Sequence, residues 1–247
     1  MSQIKVEYIN HCGHDLSVVD AARCSFDKLS DWEYPSQFPE ENYKDPDSRF
    51  YRNELGGFQR LKSSDEKLIK YLATHKHFSP FNHSFISVRV KAPVFVARQL
   101  VKHKFMPWNE VSRRYVKGEV EFYTPEYWRE GSDNVKQGSV DEDAYPPSMS
   151  THNASWYGDI NDYHDSALNY YNHLIENNVC AEQARQVLPQ SMMTTWIWSG
   201  TLGAFCDMLK LRLDSHTQYE TRIVAQEVAK IVKELFPVSY EALVGVE

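Results

Sequence analysis

Residues 92–116 read APVFVARQLVKHKFMPWNEVSRRYV. Just before them Ile86, Val88 and Val90 alternate with Ser87, Arg89 and Lys91, the pattern of a half-buried strand. At Pro93 the pattern turns helical, and proline suits a first helical turn, where its missing N–H would have no intrahelical partner. Between Arg98 and Arg114 stand Arg98, Lys102, Lys104, Arg113 and Arg114 together with His103, against Glu110 alone. A segment of that composition is built to hold anions. A basic helix end completing the C-terminal dipole accounts for Lys102 and Lys104, but not for Gln99, Asn109, Glu110 and Ser112 clustered beside them.

Outward from this run, Pro107 and Asn109 predict a loop over KFMPWNE, and VEFYTP predicts a returning strand. Upstream, IKVEYI alternates as a first strand, and DLSVVDAAR, from Asp15 to Arg23, has helical spacing. Ser63 with Glu66 predicts a capping box opening a helix through Leu68, Ile69 and Leu72. Downstream, helices are expected at 160–177, 180–188, near 201–212 and from about 216 to 235, with a strand at TTWIW. Stretches 27–62 and 129–158 are polar with weak periodicity and read as surface insertions, the first as a lid or a partly disordered linker. The resulting expectation is one mixed α/β (α+β) domain over residues 1–247, a central sheet flanked by helices with a long helical portion.

The chain has 247 residues, of which 42% are apolar, enough for one sizeable core. Its formal charge of −7 argues against a general nucleic-acid or membrane-surface binder and leaves room for a small anionic ligand held by a few residues. No apolar run spans a bilayer and the N-terminus lacks an h-region, so a cytoplasmic protein is expected. Cys12, Cys24, Cys180 and Cys206 form no CxxC pair and are expected to be reduced. Cys180 and Cys206 fall on expected helices among apolar neighbours, where an inert buried thiol is the usual case.

Three readings of the reactive side chains compete. His75, His77, His83 and His103 invite a metal, yet their spacing matches no zinc pattern, and no metal is expected. Phe105, Trp108 and Tyr115 interleaved with Arg113 and Arg114 could stack bases of a single strand, but one short patch on an acidic chain is a small footprint for that role. A pocket for a small anion uses the most residues of the run.

The segment Lys102-His103-Lys104, seven residues, Ser112 resembles the signature of flavin-dependent thymidylate synthases, whose usual form is Arg-His-Arg, seven residues, then Ser. DAARCSF at 20–26, HFSPFNH at 77–83, ARQ at 97–99, NEVSRRY at 109–115, ARQVLP at 184–189 and LRLDSHTQYE at 211–220 fall in family order. The resemblance covers nearly the whole chain outside the two insertions. It implies reductive methylation of dUMP to dTMP, with 5,10-methylenetetrahydrofolate as carbon donor and FAD carrying hydride from NADPH. It also implies a homotetramer with active sites between subunits.

By the same resemblance, dUMP is held by Gln99, Lys102, Glu110, Val111, Ser112, Arg113, Arg114 and Arg185. Arg212 is the activating arginine at the uracil edge, so that C5 attacks without an enzyme nucleophile. FAD and folate are implied to use Ser25, His77, Ser79, Asn82, Lys102, His103, Lys104, Glu110 and His216, with Gln218 completing the pocket. Read without the resemblance, Ser25 is equally a helix cap, and His77 and His216 are equally structural histidines. The chain departs from the family at both triplet ends, where lysine keeps the charge but loses the planar fork. It departs again at Thr201 and Gly203, where the family tends to place Asn and Arg. A relative that installs hydroxymethyl, or acts on another pyrimidine nucleotide, is the rival activity; a non-enzymatic nucleotide binder is the other rival.

Overall fold

The computed structural model describes residues 3–34, 51–52, 58–116, 118–126, 128–129, 131, 143–144 and 160–245. Most of the two stretches read as insertions therefore lies outside the described residues. The strands are β1 (Lys5–Cys12), β2 (Tyr51–Arg52), β3 (Phe58–Gln59), β4 (Phe85–Pro93), β5 (Trp108–Glu110), β6 (Trp128–Arg129), β7 (Asp143–Ala144) and β8 (Met193–Thr201). The helices are α1 (Asp15–Arg23), α2 (Ser63–Thr74), α3 (Val94–Leu100), α4 (Ile160–Glu176), α5 (Ala181–Ala184), α6 (Leu202–Arg212), α7 (Tyr219–Leu235) and α8 (Pro237–Val244). The principal sheet has the order β1-β4-β8-β5, and β2-β3 and β6-β7 are short antiparallel pairs. This is the mixed helix-and-sheet class expected from the sequence.

The alternation seen in β4 buries Ile86, Val88, Val90 and Ala92, and that in β8 buries Thr194, Trp196 and Trp198. Both strands thus present one dry face, which fixes their register. β5 joins β8 antiparallel with Trp108 opposite Trp198 and Glu110 opposite Trp196. Residues 104–107 of the expected loop are turn and coil, but its last three residues are an edge strand: Trp108 stacks on Trp196 at 4.4 Å between ring centroids, and that stacking holds three residues in a pleat that Pro107 and Asn109 alone would not specify. The expected returning strand VEFYTP is not one. It runs beside β8 through an isolated bridge, Phe122 to Met192, with Met193 N donating to Glu121 O at 2.8 Å and Tyr123 N to Ser191 O at 2.8 Å.

The chain divides into two compact units, each discontinuous in sequence: residues 1–7, 88–198 and 212–227, and residues 8–87, 199–211 and 228–247. In the first, Val120, Tyr171 and Ala184 form a buried cluster flanked by Phe122, Leu168, Leu174, Val187, Leu188 and Met192. In the second, α2 packs on α8 and both pack on α1. Asp15, buried at the start of α1, accepts hydrogen bonds from Val238 N at 2.9 Å, Ser239 N at 3.0 Å, and the hydroxyls of Ser239 and Tyr51. It satisfies two of the open amides at the start of α8, a helix the sequence reading did not foresee. Burial pushes the Asp15 carboxyl up, and these hydrogen bonds oppose the shift.

Two helix starts differ from expectation. α2 is preceded by Lys62 with no side-chain cap, so Ser63 and Glu66 form no capping box. The reciprocal box belongs to α1 instead, where His14 Nδ1 accepts from Ser17 N and Ser17 Oγ accepts from His14 N, both at 3.2 Å. Gly13, just before it, sits at φ +87°, and a Cβ there would lie 2.5 Å from the Ser84 hydroxyl, so the turn from β1 into α1 requires glycine. Pro93 ends β4 and serves as the N-cap of α3, one position earlier than the sequence suggested. Among the described residues no helix is long and apolar enough to cross a membrane, and no group of His, Cys, Asp or Glu is placed to hold a metal.

Candidate active site

The basic run is positioned by α3 and β5. The first amides of α3 are satisfied by the chain leading into β8: Val94 N donates to Met192 O at 2.9 Å and Phe95 N to Gln190 O at 3.2 Å. With Val96, Ala97 and Leu100 buried, the helix turns Arg98 outward and Gln99 sideways. Past its C-terminus Phe105 takes φ +61° and is 87% exposed, so the chain reverses toward β5 around a side chain left in solvent.

Arg212, at the end of α6, meets this run. Its Nε donates to His103 Nε2 at 3.1 Å and its Nη2 to the Gln99 carbonyl at 3.5 Å. Both partners are uncharged, and Arg212 has no carboxylate partner among the described residues. Burial first, and the Arg212 charge second, lower the His103 pKa to about 4. The imidazole is therefore neutral near pH 7, accepting at Nε2 and carrying its proton at Nδ1. A half-buried guanidinium braced by neutral groups keeps its full charge available to a ligand.

The Gln99 side chain is fixed as well. Its Nε2 donates to Gln218 Oε1, and its Oε1 accepts from Thr221 Oγ1 at 3.2 Å. Gln218 in turn donates to Glu220 Oε2 at 3.1 Å, and Glu220 Oε1 accepts from Arg129 Nη2 at 2.7 Å. Beside Gln218 and Glu220 lies a cavity of about 260 Å³ walled by Phe95, Tyr123, Trp128 and Ile160. Burial first and Glu220 second push the Tyr123 phenol up to about 12, so it stays protonated there.

Glu110 is held in β5, accepting from Thr194 Oγ1 at 2.9 Å and from the Trp108 indole at 3.1 Å. Ser112 Oγ accepts from Arg114 N at 3.3 Å, and Val111 N donates to Thr195 O at 2.9 Å. The two neighbouring arginines differ. Arg113 spends its guanidinium on the carbonyls of Gly118 and Glu119, at 2.6 and 2.5 Å, closing a turn. Arg114 pairs with Glu182 at 2.5 Å on an exposed surface where a ligand anion can compete. Lys102, Lys104 and Arg185 are exposed, with no ion pair among the described residues.

In the other unit, His77, Ser79 and Asn82 are exposed in the segment between α2 and β4, which buries Pro80 and Phe81, and Ser25 lies on a 3-10 turn after α1. Asn82 Oδ1 accepts from Thr201 Oγ1 at 2.8 Å, and a Cβ at Gly203 would lie 2.6 Å from that oxygen. The two departures from the family pattern therefore act together: Thr201 binds Asn82, and Gly203 leaves it room. His216 is exposed and turned toward Asp214, which accepts from its Nδ1 at 2.9 Å and its backbone N at 2.8 Å; those bonds lower the Asp214 pKa.

Sequence reasoning singled out Gln99, His103, Arg212 and Gln218, which come together. It did not single out Thr194 and Thr221, which anchor Glu110 and Gln99, or Arg129 and Glu220 behind Gln218. Cys206 is buried, and burial pushes its thiol well up, which keeps it protonated. Cys180 is exposed just before α5, contrary to the expectation of a buried helical thiol, because the helix expected from 180 begins one residue later.

The sequence profile of the Thy1 family, described as thymidylate synthase complementing protein, matches residues 7–238. A flavin-dependent thymidylate synthase of Kosmotoga olearia is 40% identical over 183 residues, 73% of this chain and 76% of that protein. One from Thermotoga neapolitana is 33% identical over 240 residues, 97% of this chain and 90% of that protein. Among solved structures, the UMP/dUMP methylase PolB from Streptomyces cacaoi, bound with 5-Br dUMP, superposes with a TM-score of 0.70 at 25% identity, covering 98% of this chain and 94% of that one. Fold, signature and relatives agree: the chain belongs to the flavin-dependent thymidylate synthase family.

Proposed function

We propose that this protein converts dUMP to dTMP by reductive methylation, with 5,10-methylenetetrahydrofolate as carbon donor, NADPH as reductant and FAD as hydride carrier. The one-carbon unit arrives at the oxidation level of formaldehyde, so one hydride completes the methyl group while the C5 proton of the pyrimidine is released. A bound flavin supplies that hydride transfer. The observation that carries the reading is Arg212, a cation held by His103 Nε2 and the Gln99 carbonyl, with no carboxylate partner among the described residues. Set against a uracil edge, it stabilises the negative charge that develops as C5 becomes nucleophilic. No enzyme nucleophile is then needed, in keeping with the protonated, buried Cys206.

The residues present fit the phosphorylated ligands. Lys102, Lys104 and Arg185 are cations without acidic partners among the described residues, and Arg114 is held by an exposed pair. Ser112, Arg114, Arg185, Gln99 and Glu110 are assigned to dUMP, with Lys102, Val111 and Arg113 beside them. Lys102, His103 and Lys104, together with Ser25, His77, Ser79, Asn82, Glu110 and His216, are assigned to the flavin and folate. The exposed apolar side chains of Phe105, Val111, Tyr115 and Val116 flank these cations, which suits burial against another subunit of a homotetramer. The test is equilibrium binding of dUMP to the flavin-loaded protein, with deoxyuridine and UMP as competitors. Tight dUMP binding with weak deoxyuridine binding is expected, and equal affinity for deoxyuridine would remove the phosphate from the account.

A further inference from the structure

A buried ion pair stands two hydrogen bonds behind Gln99. Arg129 and Glu220 side chains are only 12% and 5% exposed, and desolvating two such charges offsets much of their attraction. Their arrangement does something a neutral pair could not. A carboxylate only accepts, so Gln218 must turn its NH2 toward Glu220 and its oxygen the other way. That oxygen accepts from Gln99 Nε2, which forces the Gln99 oxygen toward the Thr221 hydroxyl. Arg129, which only donates, holds the first carboxylate oxygen and lies over the Tyr219 ring at 4.6 Å. The orientation of two carboxamides is thereby set from one end. The second N–H of Gln99 is left with no partner among the described residues, while the Gln99 backbone carbonyl braces Arg212.

We propose that Arg129 and Glu220 are positioning residues that fix the hydrogen-bond polarity of Gln218 and Gln99, so that Gln99 offers a donor, never a carbonyl oxygen, to an acceptor oxygen of the nucleotide. The proposal rests on the assignment of Gln99 to the nucleotide site made above. An amide at position 220 both donates and accepts, so Gln218 and then Gln99 can rotate half a turn with the same number of hydrogen bonds kept. In the rotated state Gln99 would set its oxygen against the ligand's oxygen.

The test is dUMP affinity by calorimetry on the flavin-loaded protein for Glu220→Gln, for Gln99→Ala and for the two combined. Arg129→Met with Glu220→Gln, which leaves no buried charge unpaired, is the second route if the single variant folds poorly. Glu220→Gln is expected to weaken dUMP binding about tenfold, the scale of one hydrogen bond lost and one repulsion gained. In the Gln99→Ala background the same substitution is expected to change affinity less than about twofold, because the group it orients is gone. A tenfold loss that persists in that background marks a general structural effect and overturns the proposal. So does an unchanged affinity in folded Glu220→Gln protein, with Gln99→Ala still weakened. If Gln99→Ala itself binds dUMP normally, the nucleotide assignment of Gln99 falls first, and the proposal with it.

Discussion

Replacing Arg212 by alanine removes a guanidinium held at 3.1 Å by His103 and 3.5 Å by the Gln99 carbonyl. Neither neighbour carries a charge that could substitute for it, and the site is partly shielded from water, so on the proposed mechanism the lost stabilisation is that of the developing pyrimidine charge. Removing one preoriented donor of this kind costs about 100- to 1,000-fold in turnover, roughly 3–4 kcal/mol. Arg212→Lys keeps the charge but not the fork that spans both partners, and is expected to lie between wild type and alanine. The assay is single-turnover conversion of dUMP by flavin-loaded protein at saturating substrates. A second readout does not depend on turnover: Arg212 is the lesser of the two causes holding His103 at about 4, so NMR titration of His103 in Arg212→Ala should show its pKa rise partway toward 6.5. Turnover within threefold of wild type in folded Arg212→Ala protein would refute the catalytic assignment.

The His103 shift also has a stability consequence. With a folded pKa of about 4 below an unfolded value of 6.5, the unfolded chain binds the proton first, so stability falls as pH drops from about 6.5 to about 4. His14 is lowered too, so the comparison is the difference in melting temperature between wild type and His103→Gln across that range, with a flatter acid limb expected in the variant. Asp15→Ala should cost about 2–4 kcal/mol in denaturant unfolding, because Val238 N and Ser239 N lose their acceptor in a dry site, with Asp15→Asn intermediate. Cys206→Ala should leave turnover within about twofold and lower stability by about 1 kcal/mol, since it trims a small buried group that the proposed mechanism does not use.

How legible this was in the sequence varies with how local the cause is. β4 and β8 could be read because alternation writes a buried face directly into the chain. β5 could not, because its three residues are held by Trp108 stacking on Trp196, a contact between distant segments. α8 was missed because Pro237 reads as a stop, whereas proline is comfortable in a first turn and the acceptor for the next amides comes from Asp15, near the other end of the sequence. In the site, the cations between Arg98 and Arg114 stood out by type and spacing, and Arg212 through the family resemblance alone. What they touch did not: Arg113 looked like its neighbour Arg114, yet one closes a turn on two carbonyls and the other faces a surface carboxylate. Nothing marked Arg129 and Glu220 as partners, since a buried ion pair and two exposed charges read alike in a sequence.

The most direct measurement is the mass of the nucleotide after incubating the protein with dUMP, 5,10-methylenetetrahydrofolate, NADPH and FAD, with a control lacking FAD. The account predicts a product heavier by one CH2, formed only when FAD is present. Unchanged dUMP from folded, flavin-loaded protein, or a hydroxymethylated product, would contradict it.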